Sequence, residues 1–142
     1  MNNDISIERF RQPFRLNFDN ALSEIRNGRK TSHWMWFIFP QLRGLGKSTM
    51  ANEYGLVNLD EARLFLNDEE LGGGLTTITT ALLHLHTDNA YTIFGSPDEM
   101  KLRSCMTLFS QVAGEDNIFK KALQKFFNGE ADTRTLSLLE TR

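Results

Sequence analysis

Apolar positions along the chain recur at helical spacing, and no segment outside one aromatic run reads as a strand. Phe18, Leu22 and Ile25 fall at i, i+4 and i+7, one face of a helix over residues 18–27, with Asn17 as its N-cap and Gly28 as its left-handed stop. Before it, Asp4 caps a short helix through Phe10, which Pro13 interrupts. Asn58 caps a helix over residues 59–66. Asp68 opens a longer one, with Leu71, Leu75, Ile78, Leu82 and Leu85 along one face. The Gly72-Gly73-Gly74 triplet weakens its first turns by about 1 kcal/mol per glycine relative to alanine, so fraying or a break is expected there. Ser96-Pro97-Asp98-Glu99 matches a capping box, with serine at the cap and proline at the first helical position. The helix it starts carries Met100, Leu102, Cys105, Met106 and Phe109 to about Val112. Asp116 caps the next, closed by Asn128-Gly129, and a last helix follows Asp132 with Leu136 and Leu139 inward.

One stretch resists assignment by period. Ser32-His-Trp-Met-Trp-Phe-Ile-Phe-Pro-Gln41 holds both tryptophans of the chain, and six consecutive apolar residues fit a buried helix or a strand equally well. A strand would have no obvious partners, which favours a helix capped by Ser32 and ended near Pro40. Residues 41–46 then form a loop and residues 48–54 a short helical segment. The expectation is an all-α fold, a compact bundle of about seven to nine short helices in one domain over residues 1–142.

Composition changes this picture little. A chain of 142 residues with 40% hydrophobic and 24% charged residues buries roughly 68–70% of its unfolded surface, enough for a core without staples. One cysteine excludes an intrachain disulfide, and the absence of a basic-then-apolar leader points to the cytoplasm. The longest apolar run is far short of the ~20 residues that span a bilayer, so no membrane is expected.

Charge is more informative. Residues 25–52 sum to +5 with no Asp or Glu, whereas residues 53–99 sum to −8. A pI near 5.9 argues against nucleic acid. The two segments can pair as surface charges, or the basic window can border an anion pocket beside the tryptophans.

Most apparent motifs dissolve. Gly46-Lys47-Ser48-Thr49 ends like a phosphate-binding loop, but Gln41 stands where the pattern requires glycine. His84 and His86, two apart, point to different sides of a helix, so no metal and no cofactor is expected. Cys105, among apolar neighbours, is an inert thiol. What remains is His33 beside the tryptophans, either a proton donor or acceptor or a core histidine bonded to backbone, and the segment Lys101-Leu-Arg103-Ser104. Two cations within a turn of a helix N-terminus oppose the macrodipole. They bind phosphate or carboxylate, or are neutralised by Asp98 or Glu99.

Taken together, Arg29-Lys-Thr-Ser-His-Trp-Met-Trp-Phe-Ile-Phe-Pro-Gln41 with Gly44-Leu-Gly46, Asp60-Glu-Ala62, Ile93-Phe-Gly-Ser-Pro-Asp98, Lys101-Leu-Arg-Ser-Cys-Met-Thr-Leu-Phe109, and the closing Gly129, Asp132 and Thr135-Leu136 resemble the bacterial family called domain of unknown function 1810. The likeness covers nearly the whole chain. It implies a compact multi-helical fold and carries no established activity. The family is sometimes labelled calpastatin, which implies a calpain inhibitor. That kind of inhibitor is a disordered polypeptide, whereas this chain has the composition and caps of a folded domain. In layout the chain is also vaguely similar to small helical hydrolases acting on N-glycosidic bonds of ADP-ribose-like compounds. Those place a glutamate immediately before the histidine, where this chain has Ser32.

Two functional classes follow. In the first, a pocket takes an anionic, nucleotide-like or phosphorylated small molecule: Trp34 or Trp36 stacks on a planar group, Lys47, Lys101, Arg103 and Ser104 hold the ligand, and His33 moves a proton. Hydrolysis would also need a carboxylate such as Glu53 or Asp98. In the second, the chain is a non-catalytic interaction or regulatory module whose acidic middle meets a basic partner.

Overall fold

The computed structural model describes residues 6–142, which form a 3₁₀ turn, Ile7–Phe10, and nine α-helices. In chain order these are α1, Arg11–Arg26; α2, Met35–Ile38; α3, Thr49–Glu53; α4, Leu59–Asn67; α5, Glu69–Leu83; α6, Ala90–Phe94; α7, Asp98–Ser110; α8, Ile118–Phe127; and α9, Thr133–Leu139. The all-α expectation is borne out. Extended pairing among the described residues is confined to one parallel bridge between Leu42 and Leu56. There the Arg43 N–H donates to the Leu56 carbonyl at 2.7 Å and the Leu56 N–H to the Gln41 carbonyl at 2.9 Å.

α7 is the buried axis. Every residue from Ser104 to Ser110 is shielded from solvent, as expected of a helix surrounded on all sides, and α4, α6, α8 and α9 pack around it. A second layer is α5 with α1, α4 and α8. Between them runs an aromatic chain: Phe10 meets Phe65 edge-on at 5.1 Å, Phe65 meets Phe109 at 5.7 Å, and Phe109 meets Phe119 at 5.6 Å. The tryptophan segment joins this core through Trp34, Met35, Ile38 and Phe39, all buried.

Several local readings need correction. Pro13 does not interrupt a helix, because it occupies the first turn of α1, where its missing N–H has no intrahelical acceptor to lose. Asn17 is consequently interior, and its amide donates back to the Pro13 carbonyl at 2.7 Å. The cap assigned to Asp4 lies outside the described residues. Ser32 caps nothing: the aromatic run contains only the single turn α2, preceded by Trp34. The capping box at Ser96 is not formed either, since Pro97 itself precedes α7 and no side chain among the described residues caps that end. Asn117 rather than Asp116 caps α8, its side chain accepting from the Lys120 N–H at 2.9 Å. α6, capped by Asn89, was not legible as an element. In α9 it is Thr135 that is fully buried, with Leu138 and Leu139 packed on the core and Leu136 only half-buried.

The glycine triplet does not break α5. A Cβ on Gly72 would lie 1.8 Å from the Leu66 carbonyl oxygen, and one on Gly74 would lie 2.1 Å from the Phe14 ring. The glycines therefore permit the close approach of α4 and α1, and that packing offsets their poor propensity. Asp68 supports the start by accepting from the Glu70 and Leu71 N–H groups.

Several carboxylates of the acidic middle segment are paired by cations of the same chain. Arg9 holds the fully buried Glu61 through paired bonds of 2.8 and 2.9 Å. Arg11 grips Asp68 at 2.7 Å and Arg15 grips Glu70 at 2.6 Å. These partners come from the N-terminal residues, not from the basic window, which contributes Lys30 to Asp98. Among the described residues no helix is long and apolar enough to cross a membrane.

Candidate functional site

The loop between α1 and α2 is organised by a residue that sequence reasoning passed over. Glu24, on the last turns of α1, accepts from the Thr31 N–H at 2.6 Å, the Ser32 N–H at 3.0 Å, the Ser32 hydroxyl at 2.7 Å, the Trp34 indole N–H at 3.0 Å and the Asn20 amide at 3.1 Å. Burial alone would raise its pKa, but the bonds from Ser32, Thr31 and Trp34 outweigh that and hold it at about 2. A buried Glu that accepts from three residues of the facing loop leaves no periodic trace, which is why it was missed. With its lone pairs engaged, this carboxylate cannot exchange a proton near neutrality.

From this anchor a row of charges and rings extends. The Lys30 ammonium lies 5.0 Å from the Trp34 ring centre and bonds Asp98 at 2.8 Å and the Ser32 carbonyl at 2.6 Å. Asp98, the first residue of α7, is also 3.5 Å from Lys101. Lys101 in turn lies 4.9 Å from the Trp36 ring centre. One carboxylate therefore serves two cations, each seated on an indole. Lys30 is 8% exposed and Lys101 25%. The Trp36 indole N–H is buried with no hydrogen-bond partner among the described residues.

Lys101 opens onto a cleft of about 250 Å³ between the loop after α2, the start of α7 and the start of α9. Leu45, Pro97 and Met100 give it apolar walls, and Arg134 supplies a second cation. Asp132 also lines it, but accepts from the Ser104 hydroxyl at 2.9 Å and the Thr135 hydroxyl at 2.5 Å while capping α9. Larger hollows exist, including one of about 490 Å³ over Arg26, Thr80 and His84. The Lys101 cleft differs in combining a cation, apolar walls and a neighbouring half-buried indole, the mix that small-molecule sites require.

Of the residues singled out from sequence, Lys101 and Ser104 line this cleft and Trp36 lies beneath Lys101. The others lie elsewhere. Trp34 is wholly buried, so it offers no stacking face. His33 and Lys47 are exposed and line no part of the cleft. Arg103 binds the Glu130 carbonyl at 2.9 Å and the Ala131 carbonyl at 3.2 Å, fastening the turn before α9. Ser104 spends its hydroxyl on Asp132. Cys105 is fully buried and its thiol pKa is pushed up by that burial, as expected of an inert side chain.

Fold and site define a small all-α protein with an aromatic core and a cation-bearing cleft at the head of its central helix. The chain belongs to the family described as protein of unknown function (DUF1810), whose model matches residues 4–139. The membership expected from the tryptophan block is thus borne out. The structure is similar to the crystal structure of the conserved hypothetical protein Rv1873 from Mycobacterium tuberculosis, with TM-score 0.91 and 40% identity over 94% of this chain and 95% of that chain. No curated protein matches the chain.

Proposed function

We propose that this protein binds a small anionic molecule in the cleft beside Trp36, with Lys101 as the principal cation. The observation carrying this reading is the unequal sharing of Asp98, which lies 2.8 Å from Lys30 and 3.5 Å from Lys101. An arriving anion takes Lys101 while Asp98 keeps Lys30, so no half-buried carboxylate is orphaned by binding. Removing a lone ion-pair partner would carry that penalty; here the second lysine removes it. His33, exposed and not part of the cleft lining, has no part in this reading, which is one of binding.

The interaction-module alternative draws less support. Its basis was the acidic middle of the sequence, and Glu61, Asp68, Glu70 and Asp98 are engaged by arginines and lysines of the same chain. Thermal-shift measurements against sugar phosphates, nucleotides and organic acids test the proposal. A true ligand at a hundred times its Kd adds about 2.7 kcal/mol of stability, and a tenfold weaker Lys101→Met variant keeps only about 1.4 kcal/mol of it at the same concentration. Stabilisation undiminished by Lys101→Met places the ligand elsewhere and ends this reading.

A further inference from the structure

Size and charge of the cleft narrow the ligand class. Resting on the anion-binding reading above, we infer that the cleft takes a monocarboxylate with a short apolar body, and not a nucleotide or a phosphate ester. The volume is the first constraint. At about 250 Å³ the cleft is below the roughly 300–1,000 Å³ of sites that enclose drug-sized ligands, so it does not enclose a base, a sugar and a phosphate together.

Charge is the second. The lining carries Lys101, Arg134 and Asp132, and the adjoining pair is Lys30 and Asp98. Three cations face two carboxylates, leaving a single positive charge to be matched. A carboxylate matches it, whereas a phosphate monoester brings about −1.5 to −2 at pH 7 and leaves uncompensated negative charge against an apolar wall. Asp132 sharpens the discrimination, because its carboxylate at the α9 cap opposes a second unit of negative charge on the ligand.

The walls are the third. Leu45, Pro97 and Met100 offer little to hydroxyl groups, and Met100, 63% exposed, is an adaptable thioether at the rim. The face of Trp36 toward the cleft cation is occupied by Lys101, so the ligand's body lies along the aliphatic wall and does not stack on the indole.

The chain has two tryptophans, so its ¹H–¹⁵N spectrum contains two indole N–H signals, assigned by Trp36→Phe. Trp34 is tied to Glu24, while the Trp36 ring lies under the ligand-binding lysine and reports its movement. Titrations with hexanoate and benzoate are expected to shift the Trp36 signal saturably and leave that of Trp34 in place. Benzyl alcohol, phenyl phosphate and adenosine monophosphate are expected to leave both. Lys101→Met weakens benzoate binding by about tenfold or more, equivalent to one ion pair of about 1.4 kcal/mol. Should that variant lose its dispersed spectrum, the exposed Arg134→Met serves in its place, with weaker binding again expected. If phenyl phosphate or adenosine monophosphate binds more tightly than benzoate and depends on Lys101, the monocarboxylate inference falls while anion binding at the cleft stands. If no anion shifts the Trp36 signal, both fall.

Discussion

At the scale of single residues, the two tryptophans illustrate how unequal neighbours in sequence become. Trp34 is fully buried and hydrogen-bonded to Glu24, whereas Trp36 is half-buried and its indole N–H has no partner among the described residues. Trp34→Ala is expected to cost about 3–5 kcal/mol in urea melts, and Trp36→Ala clearly less. Glu24 supplies a pH signature. Its pKa falls from an ordinary 4.5 to about 2 on folding. A depressed folded value means the stabilisation is complete above pH 4.5 and is lost as pH falls toward 2, each tenfold difference in proton affinity between the folded and unfolded chain contributing about 1.4 kcal/mol. Asp68, lowered to about 2 chiefly by the hydrogen bonds of Arg11, acts in the same direction. Glu24→Gln, which sets an amide against donors, should therefore be less stable at pH 7 and show a flatter acid limb between pH 4.5 and 2 in stability-versus-pH curves.

At the scale of elements, α5 separates intrinsic propensity from packing. Gly73 is exposed with open space around its Cβ direction, while Gly72 and Gly74 are pressed against Leu66 and Phe14. Gly73→Ala should stabilise by about 1 kcal/mol through helix propensity. Gly72→Ala and Gly74→Ala should destabilise, because a backbone or ring must move to admit the methyl group. Thermal melts of the three variants decide the matter, and a uniform gain across them would contradict the packing described. The same helix shows why the expected break was absent: glycine's deficit is read from sequence, but the neighbour that uses the vacated space is not.

At the scale of the whole molecule, arginines near the N-terminus tie distant segments together. Arg9 reaches the Glu53 and Gly55 carbonyls as well as Glu61. Arg9→Met would strand a fully buried carboxylate and should cost about 3–5 kcal/mol, while adding Glu61→Leu should recover much of that loss, because the pair's net contribution is small once both charges are gone. Denaturant titration of the single and double variants gives the coupling. The charge asymmetry visible along the chain suggested a pairing of the basic window with the acidic middle; the fold realises it through Lys30 and Asp98 but draws mainly on Arg9, Arg11 and Arg15.

What the amino-acid order determined alone was local: the all-α class, the caps at Asn58, Asp68 and Asp132, the stops at Gly28 and Asn128-Gly129, and the family to which the chain belongs. The caps and stops depend on groups within a few residues of one another, so a linear reading suffices. Tertiary structure decided which tryptophan enters the core, that Glu24 is buried ionised, that Arg103 and Ser104 serve the fold, and that Lys101 shares Asp98 with Lys30. Each of those outcomes depends on partners brought together from separate elements, some more than sixty residues apart, and burial and pairing across such distances have no period in the sequence to announce them.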